Sequence, residues 1–252
     1  MTAVARVGPP GYTRRVSTRR LGSCGALVLL ATAACATGRV TTTAGPEGPA
    51  QTAYAPRGGR GPIVVLLSGH SGPGLYYTYA AEVARLGYYA VLLDGKDVLT
   101  REQDGAGNLR KAIERAQHAP EAVAGKAAVI GFSRGGGGAL VHAASMPEFV
   151  SAVVAYYPQT NFVRDASLIA ARFEVPVLIL AGGQDRYHNC CVIESMRAIE
   201  AAAKARPAPF QLVVYPQADH GFNLTTSAYR GDDEADAWRR TVETLQRYQP
   251  LR

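Results

Sequence analysis

From residue 61 onward, apolar runs bounded by glycine, proline or charged residues alternate with segments of helical periodicity. Pro62-Ile-Val-Val-Leu-Leu-Ser68 has no polar face, the pattern of a strand covered on both sides. Comparable runs at Tyr88–Leu93, Ala127–Phe132, Ser151–Tyr156, Val175–Ala181 and Phe210–Tyr215 predict five further strands. Between them, Tyr76–Leu86, Ala106–Gln117, Gly135–Ser145, Cys191–Ala205 and Asp233–Tyr248 read as helices, the last with Asp232 or Asp233 as a candidate cap. Strands joined through helices of this length make right-handed crossovers and a parallel sheet. The expectation for residues 61–252 is one three-layer α/β domain, a mostly parallel central sheet with helices on both faces. In such sheets functional groups gather at the carboxyl ends of the strands.

The beginning of the chain is different in kind. Arg6, Arg14, Arg15, Arg19 and Arg20 precede a short apolar run, Ala26–Ala34, too short for the roughly 20 residues of a membrane-spanning helix. A basic start, an apolar middle and a small-residue end describe an export signal over residues 1–36. Ala34-Cys35-Ala36 offers cleavage after Ala36, and Thr32-Ala33-Ala34-Cys35 offers lipidation at Cys35; both outcomes stay open. Residues 37–60, rich in Thr, Gly, Pro and Ala, read as a flexible linker. The formal charge of +7 changes meaning once this segment is set apart. Without its five arginines, 22 basic residues face 20 acidic ones, so the body carries no broad basic face for nucleic acid.

The strongest local motif is Gly131-Phe132-Ser133-Arg134-Gly135, a G-x-S-x-G turn between a strand and a helix. Side chains two residues before and after the serine would collide as the chain doubles back, which is why glycine stands there. No phosphate-binding lysine or G-x-G-x-x-G follows a strand, so Ser133 is read as a nucleophile. A serine hydroxyl needs a base. Of the five histidines, His118 and His142 fall at or within helices, and His70 and His188 follow earlier strands. His220, in Asp219-His220-Gly221-Phe222 after the last strand, fits the order Ser…Asp…His. Asp185, after the strand Val175–Ala181, is the candidate acid; Asp165 is the alternative, and Asp219 is set aside because it adjoins the histidine.

Acyl transfer also needs donors for an oxyanion. The Arg134 N–H is one candidate, and either His70 or Ser71, in Gly69-His70-Ser71-Gly72-Pro73-Gly74, supplies the other. Tyr76, with its neighbours Tyr77 and Tyr79, and Tyr157 are candidates for lining the substrate site. Of four cysteines, Cys24 and Cys35 belong to the N-terminal segment, and Cys190 and Cys191 are adjacent. They read as two ordinary thiols rather than a vicinal ring. With His188 they do not make a metal site, since neighbouring cysteines diverge and spaced pairs are lacking. No metal and no cofactor are expected.

Gly131-Phe-Ser-Arg-Gly-Gly136, Tyr156-Tyr157-Pro158, Gly183-Gln-Asp185 and Asp219-His-Gly-Phe222 together resemble the α/β-hydrolase superfamily, within it the dienelactone hydrolase-like group, over about residues 60–250. The chain departs from the namesake enzymes in carrying serine where they carry cysteine, and in its export signal. The resemblance implies hydrolysis of small carboxylic esters or lactones, with Ser133, His220 and Asp185 as a catalytic triad, no cofactor and a small-molecule substrate as partner; the periplasmic or secreted location, with a lipid anchor if Cys35 is modified, is expected from the export signal instead. The connection from Tyr157 to Val175 leaves no room for a large lid. A peptidase of the same superfamily and a non-catalytic binding lipoprotein on this fold are the alternatives.

Overall fold

The computed structural model describes residues 38–251. Residues 1–36, expected as an export signal and including Cys24 and Cys35, lie outside the described residues. Eight strands make one sheet: β1 (Arg39–Thr42), β2 (Gln51–Tyr54), β3 (Gly61–Leu67), β4 (Tyr89–Leu93), β5 (Ala122–Phe132), β6 (Val150–Tyr156), β7 (Val177–Gly182) and β8 (Phe210–Tyr215). Their order across the sheet is β1-β2-β4-β3-β5-β6-β7-β8. The pairs β1–β2 and β2–β4 are antiparallel and every other pair is parallel. The helices are α1 (Tyr77–Arg85), α2 (Gly105–Gln117), α3 (Arg134–Val141), α4 (Ser167–Ala170), α5 (Ile193–Ala203) and α6 (Gly231–Tyr248).

All six expected strands and five expected helices are present. The unbroken apolar pattern of β3 has a direct cause: Ile63, Val65 and Leu67 pack into one core and Val64 and Leu66 into the other. The first core is closed by α2, α3 and α5 through Leu109, Ile113, Leu140, Met196 and Ile199. The second is closed by α1 and α6 through Val83, Ala84, Ala237 and Leu245. With both faces covered, the strands have no solvent side to keep polar.

Several boundaries differ from expectation, β5 for instance beginning at Ala122 rather than Ala127. The helix after Ser133 stops at Val141 and gives way to a 3-10 turn over Ala143–Ser145. Asp232 and Asp233 do not cap α6; Arg230 holds the cap position without a side-chain bond, and the two acids sit in the first turn, where the helix dipole favours them. The flexible linker expected over residues 37–60 is corrected by β1 and β2, which extend the sheet. All four residues of β2 are buried against β4. The Arg39 guanidinium lies over the Tyr77 ring at 4.2 Å, and Arg115 Nη1 donates to Pro49 O at 2.9 Å. Such distant partners outweigh a composition that favours turns.

Candidate active site

The site grows from the central strands. β5 lies between β3 and β6, so its carboxyl end is flanked by the loops that follow both neighbours. The chain leaves β5 at Phe132, turns at Ser133 and enters α3 at Arg134. The turn is tight enough to demand its glycines: a β-carbon on Gly131 would stand 2.4 Å from Gly135 O, and one on Gly135 would stand 2.3 Å from Leu67 O. Ser133 itself takes φ 50° and ψ −112°, a costly conformation for a non-glycine residue. Backbone bonds hold it there, Ser133 N–H to Tyr156 O at 3.0 Å and Gly137 N–H to Ser133 O at 2.9 Å.

His220 arrives from the loop after β8 and Asp185 from the loop after β7. The imidazole Nε2 lies 3.0 Å from Ser133 Oγ and Nδ1 lies 2.7 Å from Asp185 Oδ2. A carboxylate only accepts, so Nδ1 carries the proton and Nε2 is left to accept from the serine hydroxyl. Asp185 is wholly buried, and its other oxygen accepts the Tyr187 N–H at 3.1 Å. The His220 side chain keeps 13% of its surface exposed, toward the cleft. The other acids are elsewhere engaged. Asp219 accepts the His220 N–H at 2.7 Å, a local turn contact, and exposed Asp165 binds Ser167 N and Oγ at 2.9 and 2.6 Å. Neither reaches the imidazole edge.

The histidines set aside are likewise accounted for. His118 Nδ1 lies 2.7 Å from Glu114 O on the surface, and His142 ends α3, its pKa lowered by burial. His70 and Ser71 border the cleft beside Ser133. Their loop is tied to the elbow by the Gly135 N–H, which donates to Ser68 O at 3.1 Å. The Arg134 N–H opens α3 next to Ser133, and no backbone carbonyl among the described residues accepts it. The Arg134 side chain turns away, donating from Nε to Leu99 O at 2.9 Å.

A cleft of about 520 Å³ opens over Ser133 and His220. Tyr76 and Tyr157 line it, but as largely buried walls. The Tyr76 ring packs on Phe132 at 4.6 Å and burial pushes its hydroxyl up to about 12; Tyr157 meets the His220 edge at 4.6 Å and donates to Asn223 Oδ1 at 2.7 Å. Burial raises the Tyr157 pKa as well. Tyr77 and Tyr79 take other roles: Tyr77 lies under Arg39, and Tyr79 Oη lies 2.7 Å from Tyr156 Oη in a buried network that reaches Thr241. Only the four-residue α4 interrupts the connection from β6 to β7, so no large lid lies there.

Two features escape the sequence pattern. Tyr187 stacks flat on His220, with ring centres 4.5 Å apart and planes 7° apart. A tyrosine two residues beyond the acid carries no motif, so only proximity reveals it. Cys190 and Cys191, expected as free thiols, are joined as a vicinal disulfide. The expectation that neighbouring cysteines point apart fails here; the pair directly follows a 3-10 turn over Tyr187–Asn189 in which His188 has φ 46° and Asn189 φ 50°.

Residues 91–249, more than half of the chain, match the Dienelactone hydrolase family. The chain belongs to that family. A relative in Escherichia coli (strain K12), named "Putative carboxymethylenebutenolidase", is 32% identical over 126 residues, 48% of this chain and 45% of the relative. The chain thus spans less than half the length of that curated relative. Among solved structures, "Putative Dienelactone Hydrolase" from Klebsiella pneumoniae superposes with TM-score 0.68 at 23% identity, covering 84% of this chain and 98% of its own. Thermogutta terrifontis esterase 2 phosphonylated by cyclosarin gives TM-score 0.68 at 17% identity, covering 85% and 95%. At these identities the shared property is the α/β-hydrolase fold, which the eight-stranded, mostly parallel sheet carries.

Proposed function

We propose that this protein is an exported serine hydrolase that cleaves small carboxylic esters or lactones through an acyl-enzyme. The observation that carries the reading is the continuous hydrogen-bonded line from Asp185 through His220 to Ser133 at the floor of an open cleft. Ser133 Oγ attacks the ester carbonyl while Nε2 takes its proton, and Asp185 stabilises the resulting imidazolium and holds its tautomer. The Arg134 N–H and an N–H from His70 or Ser71 receive the oxyanion. The imidazolium then protonates the leaving alcohol. In the second half Nε2 deprotonates a water, which attacks the acyl carbonyl and releases the acid.

Family membership and the name of the Escherichia coli relative favour carboxylic esters and lactones as substrates. A cleft of about 520 Å³ without a large lid favours small acyl and alcohol groups. Esterase 2 of Thermogutta terrifontis, which shares the fold, is phosphonylated by cyclosarin, so an organophosphorus probe suits the test. Purified protein is expected to take a fluorophosphonate label and hydrolyse short aryl esters, and Ser133→Ala to do neither. Equal labelling of both proteins would place the nucleophile elsewhere. Export is supported by the basic, then apolar, then small-residue order of residues 1–36. Mass spectrometry of the mature N-terminus separates lipid-bearing Cys35 from a start at Thr37, and an intact Met1 would refute export.

A further inference from the structure

The proposed hydrolysis has no use for Cys190 and Cys191, yet their sulfurs and a ring nitrogen of His220 all lie within 4.8 Å of one another. We infer that the reduced Cys190–Cys191 pair and His220 form a binding site for a soft or borderline divalent cation, Zn²⁺ or Cd²⁺, that is closed while the disulfide is intact. Two thiolates and an imidazole are the protein donor set of three-ligand zinc sites, in which water takes the fourth position. Bonds of about 2.3 Å to sulfur and 2.0–2.1 Å to nitrogen, at tetrahedral angles, place donor atoms roughly 3.5–3.8 Å apart. The cysteine backbone is already anchored, since Cys190 O accepts from Thr160 N–H at 2.7 Å and from Thr160 Oγ1 at 3.2 Å.

Opening the site is a balanced exchange. A dithiol reductant gives two electrons and two protons, the sulfur–sulfur bond breaks to two thiols, and the reductant closes to its cyclic disulfide. Cation binding then releases the two thiol protons. The intact disulfide has no thiolate to offer. Both nitrogens of His220 are engaged, Nδ1 with Asp185 and Nε2 with Ser133. A cation on either nitrogen therefore removes one link of the line, and loading the site stops proton transfer. This consequence rests on the proposed hydrolysis; the binding itself does not.

The test titrates the protein with Cd²⁺, once with the disulfide intact and once after reduction by a dithiol and anaerobic removal of the reductant. Sulfur-to-cadmium charge-transfer absorption is read in the ultraviolet. Cys190→Ser/Cys191→Ser, or reduced protein alkylated with iodoacetamide if that variant does not fold, sets the background. One equivalent of Cd²⁺ is expected to give the band in reduced wild type alone. Loss of a ligand in His220→Ala is expected to weaken binding by at least about tenfold. Aryl-ester hydrolysis by the reduced protein is expected to fall with Zn²⁺ and that of the oxidised protein to hold. Equal bands in oxidised and reduced protein, or in wild type and the cysteine-free control, would overturn the site. A band without any ester hydrolysis would keep the site and sink the hydrolase reading.

Discussion

Asp185→Asn separates the three aspartates that sequence order alone leaves in contention. In the native site Asp185 Oδ2 lies 2.7 Å from His220 Nδ1, while Oδ1 accepts the Tyr187 N–H. An asparagine keeps one carbonyl oxygen, and the Tyr187 N–H holds it. The amide NH₂ then faces Nδ1 and can only donate. The ring answers by moving its proton to Nε2, where it points at Ser133 Oγ and can no longer accept. The same tautomer error in serine triads costs about 10⁴ in kcat, which is about 5.5 kcal/mol at 1.36 kcal/mol per decade. Because Asp185 is wholly buried and does not border the cleft, KM for a short aryl ester is expected to move little. The assay is p-nitrophenyl butyrate hydrolysis, with Asp219→Asn and Asp165→Asn alongside and folding checked by circular dichroism. Both of those variants are expected to stay within about tenfold of wild type, since neither carboxylate reaches the imidazole edge. An Asp185→Asn enzyme within tenfold of wild type, or Asp219→Asn as damaged as Asp185→Asn, would refute the assignment.

The other predictions concern the elbow and the last helix. Gly131→Ala forces a β-carbon to within 2.4 Å of Gly135 O, all against backbone, so about 1–3 kcal/mol of stability and more than about 100-fold in rate should be lost. Thermal melts and ester hydrolysis both read this, and wild-type values in both would show that the turn has slack. Asp236 on α6 accepts from Tyr215 Oη at 3.0 Å, from Arg240 Nε at 2.5 Å and from Arg239. Burial alone would raise its pKa, but these donors outweigh it and hold the carboxyl at about 2. A folded-state pKa below the unfolded value of 3.8 stabilises above about pH 4, and the gain is lost as pH falls from there toward 2. At this partly solvated position the gain is about 1 kcal/mol. Urea unfolding of wild type and Asp236→Asn should therefore differ near neutral pH and converge toward pH 2; a gap that persists at low pH would assign it to something other than charge.

Sequence reading worked where the physics is local or periodic. Strands buried on both faces must be apolar throughout, so β3, β4 and β7 announce themselves, the half-buried edge strand β8 keeps an apolar run broken only by Gln211, and a β-carbon clash at the elbow leaves glycine as its signature at 131 and 135. The chain order Ser…Asp…His then placed His220 and Asp185 at neighbouring strand ends, where they meet. What remained hidden depends on partners far along the chain. β2 is Gln-Thr-Ala-Tyr, with two polar residues buried because β4 and β1 satisfy the backbone on either side. Tyr187 gains its place only because β8 delivers His220 beneath it. The pairing of Cys190 with Cys191 likewise leaves no mark in the sequence, where adjacent cysteines read as separate thiols.

Among the described residues, the non-glycine positions with positive φ are Ser133, Tyr157, His188 and Asn189. None is a surface turn distant from the cleft. Ser133 and Tyr157 follow the adjacent strands β5 and β6, and each is pinned by a bond to the next strand over: Ser133 N–H to Tyr156 O, Tyr157 N–H to Leu180 O at 2.7 Å. His188 and Asn189 lie in the loop that carries Asp185, Tyr187 and the disulfide. At Ser133 and Tyr157 such backbone costs on the order of 1–3 kcal/mol, sustained by these bonds to the neighbouring strands. A backbone selected for stability alone would place glycine at Ser133 and Tyr157 or relax them. Strain gathered at one sheet edge, around one serine, one imidazole and one sulfur pair, therefore points to the same cleft that the hydrogen bonds do, by a route independent of any motif.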